Sequence, residues 1–93
     1  MQIGHGVALG RGCVVVAQVG VAGSTEIGDF VRIGGQAAIA GHLRVGQGAQ
    51  IGAKAGVMSE VPDGAAVVGS PAQPRRVFFR QVAVLKRLAE RRP

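Results

Sequence analysis

The chain has no tryptophan and no tyrosine, and only three of its 93 residues are phenylalanine. Its single cysteine, Cys13, excludes an internal disulfide and is compatible with a reducing compartment. No stretch approaches the roughly twenty apolar residues of a membrane span, and the N-terminus lacks the charged-then-apolar pattern of a signal peptide. These absences argue against a disulfide-stapled secreted domain and an integral membrane segment, and they predict a cytoplasmic protein.

The net charge of +6 is concentrated at one end of the chain. From Arg75 onward there are seven basic residues and one acidic residue, Glu90, whereas the first 74 residues carry four of each. A basic tail suits an acidic protein, an anionic membrane surface, a nucleic acid, or simply a solvated helix face. Because no aromatic stacking platform and no recognition motif accompany it, we expect no nucleic-acid partner.

A period of six residues runs through the first two thirds of the sequence. A fixed short period indicates a repeat architecture, and six fits neither the helical period of 3.6 nor a flat alternating strand. It is typical of an all-β solenoid with a triangular section, in which each hexad forms one side and three hexads form a coil. Ten uninterrupted aliphatic positions carry the pattern: Ile3, Leu9, Val15, Val21, Ile27, Ile33, Ile39, Val45, Ile51 and Val57.

The hexad also predicts where side chains point. The aliphatic residue points into the prism, and the fifth residue of many hexads (Cys13, Thr25, Ala37) is small enough to lie beside it. Many of the 16 glycines serve the corners, where positive φ or close backbone approach is needed. Stacked coils share one core, which relieves part of the limit that small size places on stability.

Three segments are predicted. Residues 1–62 hold the solenoid of about three coils, residues 63–76 form an irregular connection that begins at Pro62-Asp63-Gly64, and residues 77–90 form an amphipathic helix. The helix stripe (Phe78, Val82, Leu85, Ala89) must cover either the open end of the solenoid or the same helix of other subunits.

Stacking brings both histidines of the chain to one edge of the prism. Residues eighteen apart lie above one another, so His5, Gly23 and Gly41 form one column and His42 stands beside it. A neutral imidazole is the usual general base near neutral pH, and a glycine N–H suits the oxyanion of an acyl-transfer intermediate. A trigonal histidine metal site would need a third histidine, so we expect no metal.

Several blocks of the sequence resemble the UDP-3-O-(3-hydroxyacyl)glucosamine N-acyltransferases of lipid A biosynthesis. The specific ones are Ala17-Gln18-Val19-Gly20, Ala22-Gly23-Ser24-Thr25 and Ala40-Gly41-His42, supported by Gln2-Ile3-Gly4-His5 and the Gly69-Ser70-Pro71-Ala72 turn. The resemblance implies a left-handed parallel β-helix of hexapeptide repeats with a C-terminal α-helix, assembled as a homotrimer with active sites between subunits. It also implies transfer of a 3-hydroxyacyl chain from acyl carrier protein to the 2-amino group of a nucleotide-sugar acceptor, with no further cofactor.

The resemblance also assigns roles to residues. His5 matches the family's general base, Gly23 matches the glycine whose N–H holds the oxyanion, and His42 and Gln18 are expected to contact substrate. Arg76, Arg80 and Lys86 of the basic helix are expected to bind the acidic carrier protein. Gly6 stands where the family typically has asparagine, and the family's proteins are several times longer, with an N-terminal uridine-binding domain. We therefore expect this sequence to be a C-terminal portion.

Two other functions fit the same fold. A coenzyme A-dependent acyl- or acetyltransferase agrees with the Gly-Ser-Pro-Ala turn at 69–72, and it predicts binding of coenzyme A rather than of a carrier protein. A non-catalytic, trimerising solenoid predicts that His5→Ala alters nothing beyond stability.

Overall fold

The computed structural model describes residues 2–91, and these form a triangular parallel β-solenoid followed by one helix. Strands, numbered in chain order, form three parallel sheets, one for each side of the prism. The first sheet contains β1 (Gln2–Ile3), β4 (Gly20–Val21), β7 (Ala38–Ile39) and β10 (Gly56–Val57). The second contains β2 (Ala8–Leu9), β5 (Glu26–Ile27) and β8 (Arg44–Val45). The third contains β3 (Val14–Val15), β6 (Arg32–Ile33), β9 (Gln50–Ile51), β11 (Ala66–Val68) and, antiparallel at its end, β12 (Gln73–Pro74).

The register between coils confirms the predicted stacking. Ile3 pairs with Val21 and Val21 with Ile39, eighteen residues apart. Backbone hydrogen bonds of 2.7 to 3.2 Å link each coil to the next, for example from Gly4 N–H to the Val21 carbonyl oxygen at 2.7 Å. Because every side of the triangle is hydrogen-bonded in this way, the outward positions have fixed places on the surface.

The hexad aliphatics form the core, as the period predicts. Ile33, Val45 and Ile51 are at most 3% exposed, and fifth-place residues such as Thr25 and Ala49 are fully buried beside them. The Thr25 hydroxyl donates to the Ala40 carbonyl oxygen at 2.9 Å, so this inward polar group is satisfied. Aliphatics of the first coil are more open: Ile3 is 37% and Leu9 45% exposed. Cys13, predicted as a core residue, is half-buried in that coil and its Sγ donates to the Gly28 carbonyl oxygen at 3.2 Å.

The solenoid continues past residue 62, where the sequence pattern places its end. Val61 pairs with Val45 and Val67 with Ile51, so the last coil is two residues shorter than the others. This deletion shifts the repeat out of phase, which is why counting by six loses it at Pro62. With β11 and the Val61 bridge the solenoid contains twelve short segments, and three segments to a coil make four coils.

The helix, α1, spans Arg75–Glu90 and begins two residues before the predicted position. Its first turn contains the polar residues Arg75 and Arg76, which follow Pro74. Because the apolar stripe begins only at Phe78, the stripe does not reveal where the helix starts. Phe78 is half-buried against Gly69, and Gln73 Nε2 donates to Gln81 Oε1 at 2.9 Å. Further along the stripe Val82 and Leu85 are exposed, so in this chain the helix does not cover the end of the solenoid. Arg92, which the sequence analysis counts in the basic tail, lies outside the described residues.

Within residues 2–91, no helix combines the length and the apolar character that crossing a membrane requires.

Candidate active site

The edge between the first and second sheets, hereafter the first edge, brings together three of the predicted site residues. It consists of the connections from β1 to β2, from β4 to β5 and from β7 to β8, which carry His5, Gly23 and His42 respectively. The stacking predicted from the eighteen-residue coil is present. Ser24 N–H donates to the His5 carbonyl oxygen at 3.0 Å, and His42 N–H donates to the Gly23 carbonyl oxygen at 3.2 Å.

Gly23 lies so close to the coil of His5 that no other residue fits without movement. A Cβ built on Gly23 would lie 2.8 Å from the His5 carbonyl oxygen, a separation that real Cβ atoms essentially never show. The requirement for glycine is therefore steric and arises from the approach of two backbones. It places the Gly23 peptide directly against the residue that carries the imidazole.

The Gly23 N–H is free to bind a ligand. Among residues 2–91 it has no hydrogen-bond acceptor, whereas Ala22 N–H before it and Ser24 N–H after it both donate to neighbouring coils. A backbone N–H held rigidly on both sides and left without an acceptor is the kind of donor that stabilises a developing oxyanion.

Both histidine side chains are exposed at this edge. His42 adopts a left-handed backbone conformation with φ of 59°, at the fourth place of its hexad, and Gly6 has the same place and a φ of 76°. In the described part of the chain, positive φ recurs at this place from residue 6 to residue 54, mostly at non-glycine residues. The corner conformation is thus a property of the coil, and glycine is not required for it.

A shallow apolar groove flanks the first edge on the side of the first sheet. Its volume is about 650 Å³. Its floor is built largely from small outward residues, including Gly20, Ala22 and Ala38, and Gly4 beside His5 lines it as well. Small side chains leave the surface smooth and open along the coil axis.

A charged depression of about 300 Å³ flanks the same edge on the side of the second sheet. Glu26 and Arg44 are paired neighbours on β5 and β8, and Glu60 follows on the next coil. Ser24, His42 and Leu43 complete the lining. The first edge therefore separates an apolar surface from a polar one.

Sequence reasoning did not find these two surfaces. The signal was present in the outward hexad positions next to each inward aliphatic: Gly20, Ala38 and Gly56 on one sheet, and Glu26, Arg44 and Glu60 on another. When those positions are compared within each sheet rather than along the chain, one sheet presents small residues and the other presents charged residues.

Gln18 does not join the other site residues within this chain. It lies at the corner between β3 and β4, which is a different edge of the prism, and its Oε1 accepts a hydrogen bond of 2.7 Å from Gln36 Nε2 one coil later. Counting hexads shows why, because residue 18 belongs to the third corner of the first coil.

The basic residues predicted to bind a carrier protein lie on α1. Arg76, Arg80 and Lys86 are exposed, and α1 packs on β11 and β12 of the third sheet. They therefore stand on a separate element from the first edge. No cluster of three or more His, Cys, Asp or Glu side chains in residues 2–91 is arranged to hold a metal ion.

Comparison with curated proteins gives matches along nearly the whole chain. It is 59% identical over 91 residues to a UDP-3-O-acylglucosamine N-acyltransferase of Granulibacter bethesdensis, covering 98% of this chain and 27% of that protein. It is 52% identical to a protein of the same name from Methylobacterium sp. strain 4-46, and the match covers 98% of this chain and 26% of that protein. It is also 52% identical to one from Rickettsia prowazekii, with 97% of this chain and 26% of that protein covered. The chain thus spans about a quarter of the length of these relatives, which is consistent with the expected C-terminal portion. The resemblance predicted from the sequence is confirmed, although no protein-family model matches the chain.

Solved structures agree on the fold. A serine acetyltransferase of Neisseria gonorrhoeae in complex with serine superposes with a TM-score of 0.54 at 35% identity, covering 78% of this chain and 39% of that one. The soybean serine acetyltransferase apoenzyme superposes with a TM-score of 0.56 at 33% identity, and the coverage of the two chains is the same. Both neighbours are named acetyltransferases.

Proposed function

We propose that this chain, which resembles UDP-3-O-acylglucosamine N-acyltransferases, carries the acyl-transfer centre of such an enzyme at its first edge. The reaction is transfer of a 3-hydroxyacyl chain from acyl carrier protein to the 2-amino group of UDP-3-O-acylglucosamine. The observation that carries the proposal is the unbonded Gly23 N–H stacked against His5 within a chain of this resemblance.

The chemistry follows from these two groups. The imidazole of His5 takes a proton from the attacking amine while the amine nitrogen bonds to the thioester carbonyl carbon. The carbonyl oxygen becomes an oxyanion that accepts a hydrogen bond from Gly23 N–H. When the carbon–sulfur bond breaks, the carbonyl re-forms and His5 returns the proton to the leaving thiolate, which leaves an amide and a free thiol. His42 N–H bonds to the Gly23 carbonyl oxygen, which belongs to the peptide that follows the donor, and so helps to hold the backbone at Gly23 in place.

The two surfaces beside the edge suit the two substrates. An acyl chain fits the apolar groove, because its floor of Gly20, Ala22 and Ala38 offers apolar contact without protruding side chains. A polar acceptor fits the charged depression that contains Glu26, Arg44 and His42. The amine and the thioester would then meet at the edge between them.

The composition of α1 supports a carrier-protein role for Arg76, and Arg80 and Lys86 are exposed on the same helix. Two arginines occupy the first helical turn, which has no acidic residue. Positive charge at a helix N-terminus opposes the macrodipole and costs roughly 0.3–1 kcal/mol per charge. Because these arginines weaken the helix that carries them, an acidic partner explains their presence better than helix stability does.

Exposed apolar residues on the same helix support a homotrimer. Val82 is 44%, Leu85 68% and Leu88 55% exposed, and the helix lies largely free of the solenoid. The same helix from two further copies would cover this surface. Closed cyclic symmetry also suits a prism with flat sides.

The structural neighbours favour a second candidate. Serine acetyltransferases share the fold, and at 35% identity one of them is more than a remote match. A coenzyme A thioester would then be the donor, with a different acceptor.

The test uses purified protein with UDP-3-O-acylglucosamine and matched 3-hydroxyacyl thioesters of acyl carrier protein and of coenzyme A. Mass spectrometry of the products would show N-acylated sugar with the carrier-protein donor at a much higher rate than with coenzyme A. Equal or faster transfer from coenzyme A would replace the first candidate by the second. If both donors remain intact beside a folded protein, the proposal fails for this chain.

A further inference from the structure

Two aspartates on a neighbouring edge show what a side chain can do at a corner of this solenoid. On the edge between the second and third sheets, Asp29 Oδ1 accepts a hydrogen bond of 2.8 Å from Arg11 N–H. Two coils later on the same edge, Asp63 Oδ1 accepts one of 2.9 Å from Gln47 N–H. In both pairs the aspartate lies on the coil that follows, above the N–H that it caps.

Gly23 holds the same place in its hexad as Arg11 and Gln47 hold in theirs. All three are third-place residues, two positions after an inward aliphatic (Val21, Leu9 and Val45). The residue above Gly23, in the place that Asp29 takes above Arg11, is Gly41. It has no side chain, and within residues 2–91 the Gly23 N–H is left without an acceptor.

We propose that Gly41 is a positioning residue whose missing side chain keeps the Gly23 N–H open for the substrate oxyanion. A Cβ built on Gly41 would lie 3.9 Å from the Gly23 nitrogen, so a carboxylate or amide there would reach the N–H as Asp29 reaches Arg11. The same Cβ would lie 3.0 Å from the Gly23 carbonyl oxygen, so the backbone must shift by a few tenths of an ångström, and Gly41→Ala measures the effect of that shift alone. The inference rests on the proposed role of Gly23 in acyl transfer.

The third edge supplies a matched control. Gly35 is also a third-place residue, and it lies above Ala17 at the corner between the third and first sheets. Its Cβ would lie 3.5 Å from the Ala17 carbonyl oxygen, which is ordinary contact. Gly35→Asp therefore introduces the same side chain at an equivalent corner that does not contain His5.

The kinetic arm compares Gly41→Asp, Gly41→Asn and Gly41→Ala with Gly35→Asp. Loss of one oxyanion donor lowers kcat by about 10²–10³-fold. We expect a loss of that order in the Asp and Asn variants, with little change in KM. We expect a smaller loss in Gly41→Ala and none in Gly35→Asp. Loss in Gly41→Asp alone would indicate charge repulsion, and equal loss in all three Gly41 variants would indicate disturbed packing. Either result overturns the inference.

The second arm measures amide hydrogen exchange by NMR and does not depend on activity. Exchange of the Gly23 amide should slow in Gly41→Asp and Gly41→Asn but not in Gly41→Ala, and Gly35→Asp should slow the Ala17 amide instead. An unchanged Gly23 amide overturns the inference even where kcat falls. If the wild-type chain shows no turnover, the proposed function fails for this chain. The exchange of the Gly23 amide alone then decides whether Gly41 keeps that donor open.

Discussion

Gly23 illustrates how a solenoid can use one residue type for two purposes. Its lack of a side chain lets two coils approach, and its N–H remains unbonded beside His5. Its backbone φ is outside the left-handed region, so the demand for glycine comes from space alone.

Replacing Gly23 by alanine should therefore impair both folding and catalysis. The added methyl group would lie 2.8 Å from the His5 carbonyl oxygen, so one of the two coils has to move. Overpacking of this kind typically costs about 1–3 kcal/mol, and we expect kcat to fall because the N–H moves with the backbone. Denaturant unfolding and turnover measure the two effects. Gly35→Ala, whose methyl group finds ordinary contact, is the control, and equal behaviour of the two variants would contradict the steric account.

Core residues at the same hexad place should differ in importance according to their coil. Ile33 is 1% exposed between coils on both sides, whereas Ile3 is 37% exposed. Ile33→Ala should lower the free energy of unfolding by about 2–5 kcal/mol, and Ile3→Ala by clearly less because it removes less buried surface. Equal losses in thermal or denaturant unfolding would show that the first coil is packed more tightly than its exposure indicates.

At this scale the sequence predicts inward residues well and partners across edges poorly. Because ten aliphatic residues recur every six positions without interruption, all of them must point to the same side of the coil. The core residues can therefore be identified by counting in steps of six. The stacking of His5, Gly23 and His42 follows from the same counting. Gln18 was assigned from the resemblance instead, and its bond to Gln36 on another edge depends on side-chain geometry that the period does not determine.

At the scale of elements, the predicted and observed structures differ at the end of the solenoid. A two-residue deletion between Val57 and Val61 keeps both residues inward while the count by six fails. The chain therefore forms β11 and another corner inside the segment predicted to be irregular. A repeat can tolerate a shortened side because hydrogen bonds between coils, rather than residue spacing, hold the register.

The helix is the element on which the carrier-protein proposal can be tested separately. Reversing charge at exposed Arg76 and Arg80 should raise KM for the acylated carrier protein by roughly tenfold at low salt and leave kcat little changed, since charges at the rim of an interface act mainly on association. The difference should shrink as salt is added. Arg11→Glu, a charge reversal on the edge between the second and third sheets, is the control and should leave KM nearly unchanged. A KM unaffected by the helix substitutions would place the carrier elsewhere.

At the scale of the whole molecule, the described chain is elongated, with extents of 52 × 22 × 21 Å. The 16-residue helix alone is about 24 Å long at 1.5 Å per residue. The fold class was predictable because it rests on one period. The groove and the charged depression were not, because each is assembled from residues that lie a full coil apart in sequence.

Assembly is a property at this scale that the exposed helix stripe makes testable. Sedimentation equilibrium should give about three times the chain mass of 9.4 kDa. Leu85→Glu, at a 68% exposed position, should reduce that mass because a charge on the shared helix surface cannot be buried without a partner. A wild-type mass of a single chain would contradict the homotrimer.

The most direct test of the central claim is the rate of sugar N-acylation at saturating carrier-protein donor and UDP-3-O-acylglucosamine, compared between the wild-type chain and His5→Gln. Removal of a general base typically lowers turnover by about 10²–10⁴-fold, and His5 is exposed, so the variant should fold normally. We expect a loss of that size with unchanged circular dichroism. Equal turnover in the two proteins would contradict the account, because acyl transfer would then proceed without the imidazole at the first edge.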